Sequence, residues 1–229
     1  MPIDLPPRRE ASPGRANAQA AFERRVLVGF VLVVFGLLTA EVVRDFTPVK
    51  LSVIVFVLAW LPLIVVHELG HALAAWMCGW RVGGIAIGQG RPLAQFRVRG
   101  VPVRLGRLPL GGFVAIAPRH LRQVRLRSAF IYLMGPGLPL VLLGAMALVL
   151  GPARLTTHTN DLAILSCQAV AVAILFGAFA NLVPRYSRWG DPIVGHLTPS
   201  DGMGIIMSFV WPRATFEALR RRAAEPPRD

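Results

Sequence analysis

Acid is what this sequence lacks. From Leu69 to Asn160 there is not one Asp or Glu, and the whole chain sets 12 acidic residues against 25 basic ones, a formal charge of +13. Lysine is nearly missing as well, since Lys50 is the only one. Charged residues make up only 16% of the 229 positions, against roughly 25% in soluble domains. With 54% hydrophobic residues and a mean hydropathy of +0.55, these shortfalls argue against a soluble globular domain and for a membrane protein. Cysteine is scarce too: Cys78 and Cys167 lie within or beside apolar runs and read as small buried hydrophobes, not as a disulfide framework. The arginines carry little aromatic interleaving, so no nucleic-acid partner is expected. They read instead as topology signals facing anionic lipid.

What is present is a set of long apolar runs. Val26–Val43, Leu51–Gly79, Ala129–Leu150 and Leu162–Val183 each have about the length needed to cross a bilayer core of about 30 Å. The first run starts too late and runs too long for a cleavable signal peptide. Residues 1–25 are rich in Pro, Ala and Arg and read as a disordered basic tail. Residues 80–127 alternate apolar and polar positions, as in Gln95-Phe96-Arg97-Val98-Arg99, and are expected to form short β-hairpins. This region holds ten arginines and no acid, which places it, and both termini, on the cytoplasmic side. Within it, Leu108 to Val114 is apolar enough to dip into the membrane as a sheltered re-entrant element. The expected fold is therefore an α-helical membrane protein with about four transmembrane helices and a cytoplasmic or re-entrant β-hairpin region between the second and third. Residues 26–212 form the membrane domain and 213–229 a second basic tail. Pro62 is expected to kink the second span, and Gly135-Pro136-Gly137 with Pro139 to interrupt the third.

The chemistry is written in His67-Glu68-Leu69-Gly70-His71, an HExxH motif. On a helix the two histidines stand about 40° apart around the axis and about 6 Å along it. Both imidazoles can then grip one Zn²⁺, with Glu68 on the adjoining face beside the metal's open position. His67 follows Leu51 by sixteen residues, about 24 Å of helix, so the metal is expected inside the membrane boundary.

A catalytic zinc wants a third protein ligand. The acid-free stretch makes the search short. Asp161 belongs to the opposite membrane face, and Glu217 lies deep in a polar tail. Asp191, His196 and Asp201 remain. Asp201, in Pro199-Ser200-Asp201-Gly202 ahead of the apolar Met203–Val210, is preferred, because a carboxylate leading into an apolar helix is costly unless ligated or paired. Its plainer role would be a helix N-cap.

These pieces together resemble the site-2 protease family of intramembrane zinc metalloproteases. The matching residues are the HExxH on a membrane helix, Leu108-Pro109-Leu110-Gly111-Gly112-Phe113-Val114, Gly135-Pro136, Asn181-Leu182-Val183-Pro184 and Asp201-Gly202. The resemblance spans Leu51 to about Ile206. It implies that His67, His71 and Asp201 ligate zinc, that Glu68 is the acid/base, and that Asn181 sits near the site and holds substrate backbone. Two departures stand out. Pro139 occupies a position where the family often has Asn, and Asn181 and Asp201 are twenty residues apart where relatives keep them close. The chain is also expected to lack the peptide-binding PDZ domain that many relatives carry.

The expected activity is zinc-dependent hydrolysis of peptide bonds in or beside a transmembrane segment, near the cytoplasmic leaflet, in a bacterial inner membrane. Gly111, Gly112 and the Gly135–Pro139 stretch are expected to offer an edge or gap to an extended substrate. The competing expectation is a catalytically silent zinc-binding scaffold of the same fold. Ligation alone does not require Glu68, which weighs against it. The expected partners are a transmembrane protein substrate and the bilayer; substrate identity and oligomeric state have no signature in the sequence.

Overall fold

A computed structural model of the chain describes residues 47–187 and 198–224, with scattered helical positions between 29 and 44. The N-terminal tail and eight of the eighteen positions of the expected first span lie outside the described residues, as do Asp191 and His196. The chain divides into two units, Met1–Leu51 and Ser52–Asp229. In the first, Glu41 Oε1 meets Lys50 Nζ at 2.8 Å.

Among the described residues, three helices are long and apolar enough to cross a membrane: α1 (Pro48–Met77), α2 (Val124–Leu150) and α4 (Leu162–Leu182). A five-residue helix α3 (Pro152–Thr156) joins α2 to α4, and Asp161 caps α4 by accepting from Ala163 N and Ile164 N. That cap accounts for Asp161 without a metal. Helix α1 continues through Pro62, and α2 continues through both Pro136 and Pro139. The expected interruption of the third span therefore does not occur. Each proline removes one backbone donor from its helix, and neighbouring helices make that tolerable inside a membrane protein.

Helix α2 also begins earlier than hydropathy suggests, because its first turns carry Arg125 and Arg127. These arginines reach sideways to backbone oxygens. Arg127 Nη1 donates to Cys78 O at 3.1 Å, and Arg125 Nη2 donates to Trp211 O at 3.4 Å. A long side chain with a mobile head can start a helix at the interface without burying its charge. Both cysteines are free, and burial pushes the Cys78 thiol up against the pull of Arg127.

Between α1 and α2 lie two long antiparallel strands, β1 (Arg81–Val98) and β2 (Val101–Ala117). Register shifts fold them back, so Ile85, Ala86 and Ile87 each face two stretches of β2. One runs from 112 to 114 and the other from 103 to 105. The stretch 112–117 is thereby paired on one side by β1, and among the described residues no strand pairs its other side. Alternate residues Ile85, Ile87, Val103 and Val114 turn inward onto Ile64 and Ala72 of α1. A second cluster joins Ala74 and Ala75 of α1 to Trp80, Val124, Ile131 and Phe216, and Val82 and Ile116 pack against both.

The C-terminal part holds a two-residue ladder, β3 (Tyr186–Ser187) with β4 (Thr198–Pro199), then α5 (Asp201–Val210) and α6 (Arg213–Arg222). The stretch expected as a basic tail from 213 onward thus carries a helix, tied down by Phe216, which is 1% exposed. Glu217 pairs with Arg213 at 3.8 Å, away from the metal-ligating atoms.

Candidate metal centre

His67 and His71 lie one helical turn apart on α1, as the motif requires. His71 Nδ1 is 2.8 Å from the carbonyl oxygen of Ile131 on α2. A carbonyl can only accept, so Nδ1 carries the proton and Nε2 presents a bare lone pair. That Nε2 lies 3.2 Å from His67 Nε2.

The third group arrives from α5. Asp201 Oδ2 is 3.1 Å from His67 Nε2, and Asp201 Oδ1 is 3.1 Å from His71 Nε2. Asp201 is 7% exposed, and its Oδ2 has no hydrogen-bond partner in spite of that approach. An orphaned carboxylate oxygen facing two imidazole nitrogens is costly unless a cation sits between them. Ligands 2.0–2.1 Å from a tetrahedral Zn²⁺ stand about 3.3 Å from one another, close to the separations found. The donor set is therefore built to hold a metal, and among the described residues it is the one His/Cys/Asp/Glu cluster of this kind.

Asp201 is free for this role because Ser200 takes the other one. Ser200 is the N-cap of α5, its Oγ accepting from Met203 N at 3.4 Å. The same Oγ donates to Val183 O at 2.8 Å and accepts from Arg185 N at 3.1 Å. Tyr186 and Ser187 pair with Pro199 and Thr198, so the chain leaves the end of α4 and returns to the same place. Gly202 seals the return, because a Cβ there would overlap the Leu182 carbonyl. The twenty-residue separation of Asn181 and Asp201 is bridged at its base, and its length has no bearing on where Asp201 sits.

Glu68 is 4% exposed and faces β2. A Cβ built on Gly112 would stand 2.5 Å from Glu68 Oε1, so the strand backbone passes directly over the carboxylate. Gly111 has φ +84° with open space around it, so it serves the turn while Gly112 serves the close approach. Gly135 does for the histidines what Gly112 does for Glu68, since its Cβ would overlap the His71 ring. Asn181 and both loop glycines line the same cavity of about 1090 Å³ as His67, Glu68, His71 and Asp201. Asn181 Nδ2 donates within its own helix to Gly177 O at 2.8 Å.

With this geometry in place, the sequence can be set beside known proteins. A model of peptidase family M50 matches residues 55–218, which carries every residue of the centre. The chain belongs to peptidase family M50. It is 44% identical over 69 residues, 29% of this chain, to a Chlamydia trachomatis protein that bears a zinc-metalloprotease name. It is 52% identical over 52 residues (23%) to the Arabidopsis thaliana membrane metalloprotease ARASP, and 46% over 55 residues (24%) to the Caulobacter vibrioides metalloprotease MmpA. The matched stretches cover only 11%, 12% and 14% of those relatives' own lengths. As an M50 member with three helices of membrane-spanning length, the chain is a membrane protein, and zinc is the metal its relatives' names give for such a centre.

Three features of this M50 centre had no reading in the sequence: Ile131, whose carbonyl orients His71; Tyr132, which lines the cavity; and Ser200 as cap and tether. Gly135 is read in the sequence only as part of a gap for an extended substrate, and its place under the His71 ring has no signal there. Of these, Ser200 had a usable signal, since Ser directly before an acidic residue and an apolar run is an ordinary helix start. A carbonyl one turn before a Gly-Pro pair has none.

The tight backbone approach over Glu68 gives a direct test. Gly112→Ala is expected to push Glu68 or the strand aside, cutting peptide hydrolysis by about 10- to 100-fold, while bound zinc stays stoichiometric because no ligand touches Gly112. A kcat measurement with parallel metal analysis checks this.

Proposed function

We propose that this chain is a zinc-dependent intramembrane endopeptidase that hydrolyses peptide bonds in or beside a transmembrane segment, near the cytoplasmic leaflet. The observation that carries the reading is the convergence of His67, His71 and Asp201 with a buried Glu68 on a helix of membrane-spanning length. Membership of a peptidase family supports the reaction class, and the arginine-rich stretch after α1 supports the cytoplasmic side.

His67, His71 and Asp201 would hold the metal. Zinc in that position supplies Lewis acidity, polarising a carbonyl and lowering the pKa of water. Glu68 takes the proton from the attacking water and delivers it to the leaving amine. Its burial beneath the Gly112 backbone holds the carboxylate in one place. A helical substrate hides its carbonyls, so it must unwind before attack. The unpaired side of 112–117 offers backbone hydrogen bonds to such an unwound segment, which aligns it along the floor that carries Glu68. Asn181 lines the same cavity, and its side-chain oxygen would accept from the same segment's backbone.

The test is comparative membrane proteomics of cells carrying the parent or Glu68→Gln. A single-span membrane protein should accumulate uncut in the variant. Identical membrane proteomes would favour the silent zinc scaffold.

A further inference from the structure

Tyr132 is a polar residue inside a membrane helix that the hydrolytic scheme leaves unused. It follows Ile131, whose carbonyl accepts from His71 Nδ1, and it precedes Gly135, which lies under the His71 ring, by three residues. Its own ring stands edge-on to His71, with centroids 6.3 Å apart and planes at 76°. It lines the same cavity as the three ligands and Glu68.

Helix α5 is shaped around it. Gly204 lies three residues after Asp201, on the same face of α5. A Cβ on Gly204 would run into the Tyr132 ring, 2.7 Å from Cγ and closer still to Cδ1 and Cε1. One helical face thus brings Asp201 to the metal site and leaves a slot for this ring. Ser208, one turn further on, donates to Ser128 Oγ at 2.7 Å and locks α5 against α2 on the same side. Such a fit would serve a phenylalanine equally well. The hydroxyl is what needs explaining.

That hydroxyl makes no hydrogen bond to any described residue, although buried tyrosine hydroxyls ordinarily find a partner. The residue that carries it lines the cavity that also holds Glu68 and the three converging groups. Polar groups at membrane depth are expensive and tend to serve what passes through. In a cleft that already holds an acid/base and a metal-ligand set, the missing element is a neutral donor for a carbonyl oxygen that gains negative charge.

We propose that the Tyr132 hydroxyl donates a hydrogen bond to the scissile carbonyl oxygen as charge develops on it, and is a catalytic residue of this site. The inference rests on the peptidase reading. Water oxygen bonds to the carbonyl carbon, the C–N bond breaks, and the proton taken by Glu68 ends on the leaving amine. Tyr132 keeps its proton throughout and contributes only the hydrogen bond. Removing one such preorganised donor typically lowers kcat by about 10²- to 10³-fold.

The test uses the full chain in nanodiscs with a single-span peptide substrate, comparing parent, Tyr132→Phe, Tyr132→Ala and Glu68→Gln. Tyr132→Phe is expected to keep one zinc per chain and a KM within about twofold of the parent. Its kcat should fall about 100-fold, and a peptide hydroxamate, read by direct binding, should bind on the order of tenfold more weakly. Tyr132→Ala should lose zinc as well, because the ring that supports His71 and α5 is gone. An active parent, an inactive Glu68→Gln and a Tyr132→Phe equal to the parent in kcat and hydroxamate affinity would overturn the role of the hydroxyl alone. Zinc loss in Tyr132→Phe would overturn it too, by making the residue structural. A parent no faster than Glu68→Gln would bring down the peptidase reading and this proposal with it.

Discussion

Glu68→Gln is expected to bind zinc as the parent does and to lose hydrolysis by about three orders of magnitude, within the range that general acid–base groups supply. The carboxylate is not among the three converging metal-ligand groups, so the metal has no reason to leave. Gln matches Glu in shape and fits the same slot beneath Gly112, where even a Cβ from the strand would stand 2.5 Å away. What changes is the ability to accept a proton. Metal analysis and kcat on the same sample separate the two effects. A variant that cleaves at the parental rate would remove Glu68 from the mechanism.

Asp201→Ala is expected to do the opposite, emptying the site while leaving the helix in place. Loss of a supporting group outside the ligand set costs metal affinity roughly 10- to 100-fold, and a ligand should cost more. The start of α5 should survive, because the cap is Ser200 and not Asp201. Zinc per chain after dialysis against a weak chelator, with circular dichroism as a fold check, measures both. The substitutions Asp191→Ala and His196→Ala serve as comparisons. If either empties the site while Asp201→Ala retains zinc, Asp201 is not the third ligand.

The sequence carried the metal helix almost completely. HExxH fixes its own geometry wherever a helix forms, and three apolar runs of sufficient length reappear as α1, α2 and α4. The acid-free stretch also pointed forward to the C-terminal part, where Asp201 heads an apolar helix. Tertiary contacts were another matter. The Gly135-Pro136-Gly137 and Pro139 residues read as an interruption of the third span, whereas α2 continues through them and lays Gly135 under His71. The long separation of Asn181 and Asp201 departs from the spacing of the resembled family. Its closure depends on a two-residue ladder and one serine hydroxyl, features too short to leave a periodic trace. The 213–222 stretch read as polar tail since four of its ten residues are arginine, and the single Phe216 that anchors it carries little weight in an average.

Proteolysis within the membrane by this zinc site is the claim on which the rest depends, and mapping the cut is its most direct test. A single-span substrate with isotope-marked termini, incubated in nanodiscs with the parent or Glu68→Gln, is analysed by mass spectrometry for new ends. The account predicts new ends inside the cytoplasmic half of the span, made by the parent, abolished by zinc chelation and absent with Glu68→Gln. Ends confined to the water-exposed flanks, or formed equally by both proteins, would contradict it.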